Sequence, residues 1–86
     1  MKRHILLIED NEQNRYLTTF LLEKHGYRVT SAATGPAGVQ LARELLPDLI
    51  LLDVQLPGMD GYAVATALKA DARTSGIPIV VVTSYA

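Results

Sequence analysis

Residues 48–53 read Asp48-Leu49-Ile50-Leu51-Leu52-Asp53, an apolar run closed at both ends by acid. A run with no polar alternation suits a strand buried on both faces, as in the interior of a parallel sheet. His4-Ile5-Leu6-Leu7-Ile8-Glu9 repeats the pattern and also ends in acid. Between the two, residues 11–25 predict a helix, with Leu17, Phe20 and Leu21 at three- and four-residue spacing as its inner face. Gly26 is its stop signal, and Tyr27 supplies the hydrophobic contact behind it. Arg28-Val29-Thr30-Ser31-Ala32-Ala33 is a more polar strand, suited to a place near an edge. Thr34-Gly35-Pro36 opens a second helix with Val39, Ala42, Leu45 and Leu46 as one stripe, ended by Pro47.

After Asp53, Leu56-Pro57-Gly58-Met59 suits a type II turn. Asp60 is placed to cap a helix over 61–70, with Val64 and Leu68 inward. Ser75-Gly76 is a turn, and the β-branched run 77–83 predicts a fourth strand with Pro78 at its start. The order βαβαβαβ implies a doubly wound α/β fold, a parallel sheet with helices on both faces.

Composition narrows the function classes. The 86 residues carry 49% hydrophobic and 20% charged side chains and a formal net charge of −1. That is a folded-domain composition without a whole-chain drive toward nucleic acid or anionic membrane. No apolar run approaches the ~20 residues of a membrane helix, and the run behind Met1-Lys2-Arg3-His4 is too short for a signal sequence. Zero cysteines exclude disulfides and thiolate metal sites and make the cytosol, a cytoplasmic location, the default compartment.

In open α/β sheets ligands bind beyond the carboxyl ends of the strands. The first strand ends in Glu9-Asp10, the third in Asp53 and the fourth in Thr83-Ser84. If the first and third strands are neighbours, three carboxylates share one rim. Each close pair then costs about 4 kcal/mol at 4 Å and an effective dielectric near 20. A hard divalent cation removes that cost, and oxygen donors suit Mg²⁺. His4 stands at the wrong end of its strand to join them, which with the lack of cysteine leaves zinc little support. An acidic Mg²⁺ site beside a hydroxyl fits phosphoryl transfer, with Asp53 as the carboxylate nucleophile. The structural alternative is that acids follow strands because chain exits are solvated. Gly58 and Gly61 belong to no phosphate-binding glycine loop.

These residues resemble the receiver domain of two-component response regulators, with its flavodoxin-like fold. The resemblance lies in Ile5-Leu6-Leu7-Ile8-Glu9-Asp10-Asn11, in the long run from Asp48 to Gly61, in Ile77-Pro78-Ile79-Val80-Val81-Val82-Thr83-Ser84, and in the 30-residue step from Asp53 to Thr83. It implies strand order 2-1-3-4 and one receiver domain over residues 1–86. It further implies that Asp53 accepts a phosphoryl group from a phosphohistidine of a sensor histidine kinase or phosphotransfer protein. Asp10 and Asp53 then ligate Mg²⁺, Glu9 assists, and the Gln55 backbone carbonyl completes the protein ligands. Thr83 is the switch hydroxyl, Ser84 stands where Ala or Gly is commoner, and Asn11, Asn14 and Arg15 look like the donor's docking face. Such a module is a phosphoacceptor and not a turnover enzyme.

A full receiver continues with a helix, a fifth strand and a fifth helix, and its fifth strand ends in a Lys-Pro pair whose lysine binds the phosphoryl group. The present sequence ends at Tyr85-Ala86, and Lys24 and Lys69 are poor substitutes. The expectation is an incomplete receiver whose fourth strand is an exposed apolar edge, open to self-association or domain swapping. The second functional class is accordingly an association module without phosphotransfer. A third, an aspartate-nucleophile phosphatase, lacks the Asp-x-Asp spacing after the first strand.

Overall fold

The computed structural model describes residues 2–54 and 61–83, with the backbone alone for Val54 and Thr83. The expected turn at Leu56-Pro57-Gly58-Met59 and the Asp60 cap lie outside the described residues. The elements run β1 (His4–Ile8), α1 (Glu12–Lys24), β2 (Arg28–Ala32), α2 (Gly35–Leu45), β3 (Leu49–Val54), α3 (Gly61–Ala70) and β4 (Ile79–Thr83). All strand pairs are parallel, in the expected order β2-β1-β3-β4.

Every residue of β1 is buried, as its unbroken apolar run requires of a strand flanked on both edges and covered on both faces. Strand alternation divides its side chains between two layers. Leu6 and Ile8 join Ile50, Leu52, Ala42 of α2, and Val64 and Leu68 of α3 in the main core. Ile5 points to the other face, where it lines a groove with Leu49, Leu51, Val80 and Leu22 of α1. Thus α2 and α3 cover one face and α1 the other. β2 is only partly buried, as its polar sequence suggests.

Two inner faces differ from expectation. In α1, Leu17, Phe20 and Leu21 are 53–54% exposed, and no residue of the helix is fully buried. The helix rests on β1 and β2 through its half-buried positions, among them Arg15, Thr18, Thr19 and Leu22. Spacing reveals that a stripe exists; what lies against it depends on packing. In α2, Leu41 and Val39 pack on the core, while Leu45 and Leu46 stay largely exposed. Pro47 disfavours helical backbone in the residue before it. Leu46 therefore leaves the helix in a left-handed conformation, φ 47°, and its side chain leaves the stripe. β4 begins at Ile79 and not at Ile77, because the Ile77 N–H donates to the Thr74 carbonyl at 3.0 Å and closes the preceding turn.

The helix ends follow their sequence signals. Asn11 caps α1, its side chain accepting from the Asn14 N–H at 2.9 Å, and Thr34 caps α2 through the Ala37 N–H at 3.2 Å. Gly26, at φ 94°, donates to the Glu23 carbonyl while the Tyr27 N–H donates to the Leu22 carbonyl, the paired bonds of a Schellman stop. The turn after α3 is pinned by Asp71, which pairs with Arg73 and, across from α2, with Arg43, both at 2.9 Å. Beneath it, the buried Thr74 hydroxyl donates to the Leu68 carbonyl at 2.6 Å.

At the amino end of the sheet, His4 is buried but well supplied. Its N–H donates to Asp48 Oδ2 at 2.8 Å, its Nε2 lies 2.8 Å from Thr30 Oγ1, and Arg28 Nη2 lies 3.3 Å from its Nδ1. With Arg28 as donor, the ring is neutral and carries its proton on Nε2. Burial, then the Arg28 charge, lowers its pKa below 6.5. Its contribution to stability is complete above 6.5 and is lost as pH falls through the lowered value.

Helix α2 lies close against the sheet at Gly38. A Cβ there would stand 2.5 Å from Ile8 Cδ1 and 2.6 Å from Cγ1, inside a fully buried side chain. Overpacking of this kind costs about 1–3 kcal/mol, against about 1 kcal/mol of helix propensity gained from Gly to Ala. We expect Gly38→Ala to destabilise the fold by roughly 1 kcal/mol or more in urea unfolding. Ile8→Val should cost less in the Gly38→Ala background than alone, and strictly additive effects would refute the contact as the cause.

Candidate functional site

The register of β1 on β3 pairs Ile8 with Leu52. One residue further along, the same register sets Glu9 beside Asp53. Glu9 leaves β1 with 2% of its surface exposed, and Asp53, still within β3, has 6%. Asp10, the next residue, is exposed. Asp10 and Asp53 both lie close enough to act on the Glu9 carboxyl, so the sheet gathers all three acids at its carboxyl end. On the far side of β3, Asp53 is paired in register with Val82 and Val54 with Thr83. That places the Thr83 backbone at the same end of the sheet; its side chain, Gln55 and Ser84 lie outside the described residues.

The charge balance of this lip is unfavourable. Glu9 is pushed up to about 7, first by burial and then by the Asp53 carboxyl beside it, against a lowering bond from the Asn11 N–H to Oε2 at 3.0 Å. Asp53 Oδ1 is buried without a hydrogen-bond partner among the described residues. Native structures pair nearly all such atoms, and an orphan marks a place for an ion, a ligand or chemistry. Among the described residues, no group of three or more His, Cys, Asp or Glu side chains is arranged to hold a metal by itself. The acids are neighbours here without forming a closed cage, so an ion would draw on further oxygen donors.

The surrounding residues divide in two. Asn11 and Asn14 form the cap at the start of α1, beside the lip, where the sequence put them. Arg15, which the resemblance sets on the donor's docking face, has its Nη1 donating to the Glu9 carbonyl at 3.0 Å. Spacing offered no signal for this bond, since it joins a side chain to a backbone oxygen across a turn. Lys69 is committed elsewhere, its Nζ donating to the Ser75 and Ile77 carbonyls at 3.1 and 3.2 Å. Lys24 stands in the last turn of α1. A hollow of about 680 Å³ between α2 and α3 has Asp10 on its wall, with Pro36, Val39 and Val64. Neither Glu9 nor Asp53 lines it, and its wall is mostly apolar, with Asp10 and Arg43 as its charged members.

The raised Glu9 pKa makes a pH prediction. Its folded value stands above the unfolded 4.5, so the folded state holds the proton more tightly. The associated stabilisation is complete below about 4.5 and is lost as pH rises through about 7. His4 acts in the opposite direction, so the useful quantity is the difference between wild type and Glu9→Gln. In EDTA, wild type should lose about 2–3 kcal/mol relative to Glu9→Gln between pH 5 and pH 8. Parallel pH profiles in urea unfolding would remove Glu9 as the source.

Comparison with known proteins agrees with this architecture. The family described as "Response regulator receiver domain" matches residues 5–86. Protein PilH of Pseudomonas aeruginosa is 42% identical over 80 residues, covering 93% of this chain and 66% of PilH. Response regulator PleD of Caulobacter vibrioides is 43% identical over 84 residues, covering 98% of this chain but 18% of PleD. The chain therefore spans two thirds or less of these relatives. Among solved structures, the receiver domain of the sensor histidine kinase PA1611 of P. aeruginosa, described with a magnesium ion coordinated in its active-site cleft, superposes with a TM-score of 0.90 at 35% identity, covering 99% of this chain and 70% of that one. With its parallel 2-1-3-4 sheet, its acids at the strand ends and a family match over nearly its whole length, this chain belongs to the response regulator receiver domains of two-component signalling.

Proposed function

We propose that residues 1–86 act as one receiver unit in which Asp53 is the phosphoacceptor, taking a phosphoryl group from a phosphohistidine of a sensor histidine kinase or phosphotransfer protein. The observation that carries this reading is the buried Asp53 Oδ1 at the end of β3, which has no partner among the described residues. A buried carboxylate oxygen with no donor is costly as structure and useful as a nucleophile.

The lip also fits a divalent cation. Its orphan oxygen and the Glu9 pKa of about 7 both report a deficit of positive charge. Asp10 and Asp53 would hold Mg²⁺ directly, Glu9 would support it, and the Gln55 carbonyl would complete the protein donors. When bound, the ion neutralises the lip and the incoming phosphoryl oxygens. The chain's own part is then as follows. Asp53 Oδ forms the new P–O bond as the donor's P–N bond breaks, and the imidazole leaves with that electron pair and gains a proton from solvent. Glu9 and Asp10 stand at the rim as oxygen donors, Thr83 offers a hydroxyl to the transferred group, and the product is an aspartyl phosphate. The module accepts and loses a phosphoryl group and turns over no free substrate.

A cytoplasmic location accords with this donor class and with the absence of cysteine; no helix among the described residues is long and apolar enough to cross a membrane. Nothing in the composition favours nucleic acid as a direct partner.

Beryllofluoride, a phosphoryl mimic, tests the acceptor. With Mg²⁺ present, we expect saturable binding by fluorine and amide NMR, and its loss in Asp53→Asn. Binding that survives Asp53→Asn would move the acceptor elsewhere, and no binding in wild type would favour the second reading.

That second reading is association through β4. Among the described residues this strand pairs only with β3, and Val80, Val81 and Val82 are 41–47% exposed. An uncharged, β-branched strand with free backbone groups is a template for another strand. Light scattering of the 86-residue chain at micromolar concentration should show a dimer or larger species. A cooperative monomer would exclude this mode.

A further inference from the structure

Glu9 is held at three points. Its N–H donates to the Ala32 carbonyl at 3.0 Å, its Oε2 accepts from the Asn11 N–H at 3.0 Å, and its carbonyl accepts from Arg15 Nη1 at 3.0 Å. The first two bonds come from neighbouring backbone. The third comes from the guanidinium of Arg15, a half-buried residue six positions away whose backbone N–H donates to the Asn11 carbonyl at 2.9 Å in the first turn of α1. Arg15 is thus a cation beside an acidic lip that spends a donor on a carbonyl and, among the described residues, makes no ion pair. The carbonyl it grips belongs to the peptide unit joining Glu9 to Asp10, where the chain turns from a buried acid to an exposed one.

We propose that Arg15 is a positioning residue for the lip: by holding the Glu9 carbonyl it fixes the Glu9–Asp10 step, and so the direction from which the Asp10 carboxylate meets a divalent cation. The inference rests on the cation reading given above. Two physical roles for the guanidinium predict opposite signs. As a mere charge it repels a dication, so its removal strengthens binding. As a positioning group its removal frees the peptide plane and weakens binding, in the way that loss of a supporting hydrogen bond behind a metal ligand costs about tenfold or more. The loss should also be selective. Mg²⁺ demands near-ideal octahedral geometry, whereas Ca²⁺ accepts looser arrangements.

The test is an amide NMR titration of the full chain with MgCl₂ and, separately, CaCl₂. Wild type is compared with Arg15→Met, which keeps the packing of the stem and drops every donor, and Arg15→Lys, which keeps one donor cation. Folding of each variant is verified by its urea midpoint, and Arg15→Gln stands in if Arg15→Met does not fold. We expect Arg15→Met to weaken Mg²⁺ binding about tenfold and Ca²⁺ binding by about threefold or less, with Arg15→Lys within about threefold of wild type for both. Unchanged or tighter Mg²⁺ binding in Arg15→Met overturns the positioning role while leaving the cation site in place. Equal losses for both ions without rescue by lysine overturn it as well, since they report a general loss of structure. A wild-type chain that takes up no Mg²⁺ overturns the cation reading, and the role of Arg15 with it.

Discussion

The fold is organised around a cost: two carboxylates are driven into the end of its most apolar layer. β1 and β3 are central because their unbroken apolar runs tolerate no solvent, and each run is terminated by acid. Once Ile8 is in register with Leu52, Glu9 and Asp53 must be neighbours. Burial opposes the charge of Glu9, and among the described residues the compensation is thin, chiefly one backbone N–H. Folded proteins accept such penalties where charge is needed for chemistry.

The opposite end of the same sheet shows what a settled polar cluster looks like. His4 is also buried, yet its ring nitrogens and its N–H meet Thr30, Arg28 and Asp48. Asp48 and Asp53 bracket the same strand but differ in role: Asp48 closes a reciprocal pair with the His4 backbone, and Asp53 keeps an oxygen unmatched among the described residues. One pole holds the strands together. The other carries an imbalance that an incoming positive charge would relieve.

Much of this was legible in the order of residues. Apolar runs without alternation marked β1 and β3 as central, and acids at their ends located the lip. Gly26 and Pro47 marked the ends of α1 and α2. The misplaced faces had a common origin, in that a stripe such as Leu17, Phe20 and Leu21 is a property of one helix, while its burial is a property of what packs on it. Leu46 was misplaced by a local effect, the backbone constraint from Pro47, which overrode helical periodicity. The Arg15 bond was illegible because its acceptor is a carbonyl, which every residue possesses and no side-chain pattern announces. The Asp71 clasp with Arg43 and Arg73 escaped for a related reason: it joins a turn to a helix that lies far away in the chain.

The sheet contains no hairpin, and this bears on how it assembles. β1 pairs with residues 28–32 on one edge and 49–52 on the other, and β4 adds to β3 alone. Each pairing closes a long loop, crossed by a helix, before any ladder bond repays the entropy. During synthesis the apolar β1 segment therefore stays without its first partner until residues 28–32 have emerged, and without its second until residues 49–52 have.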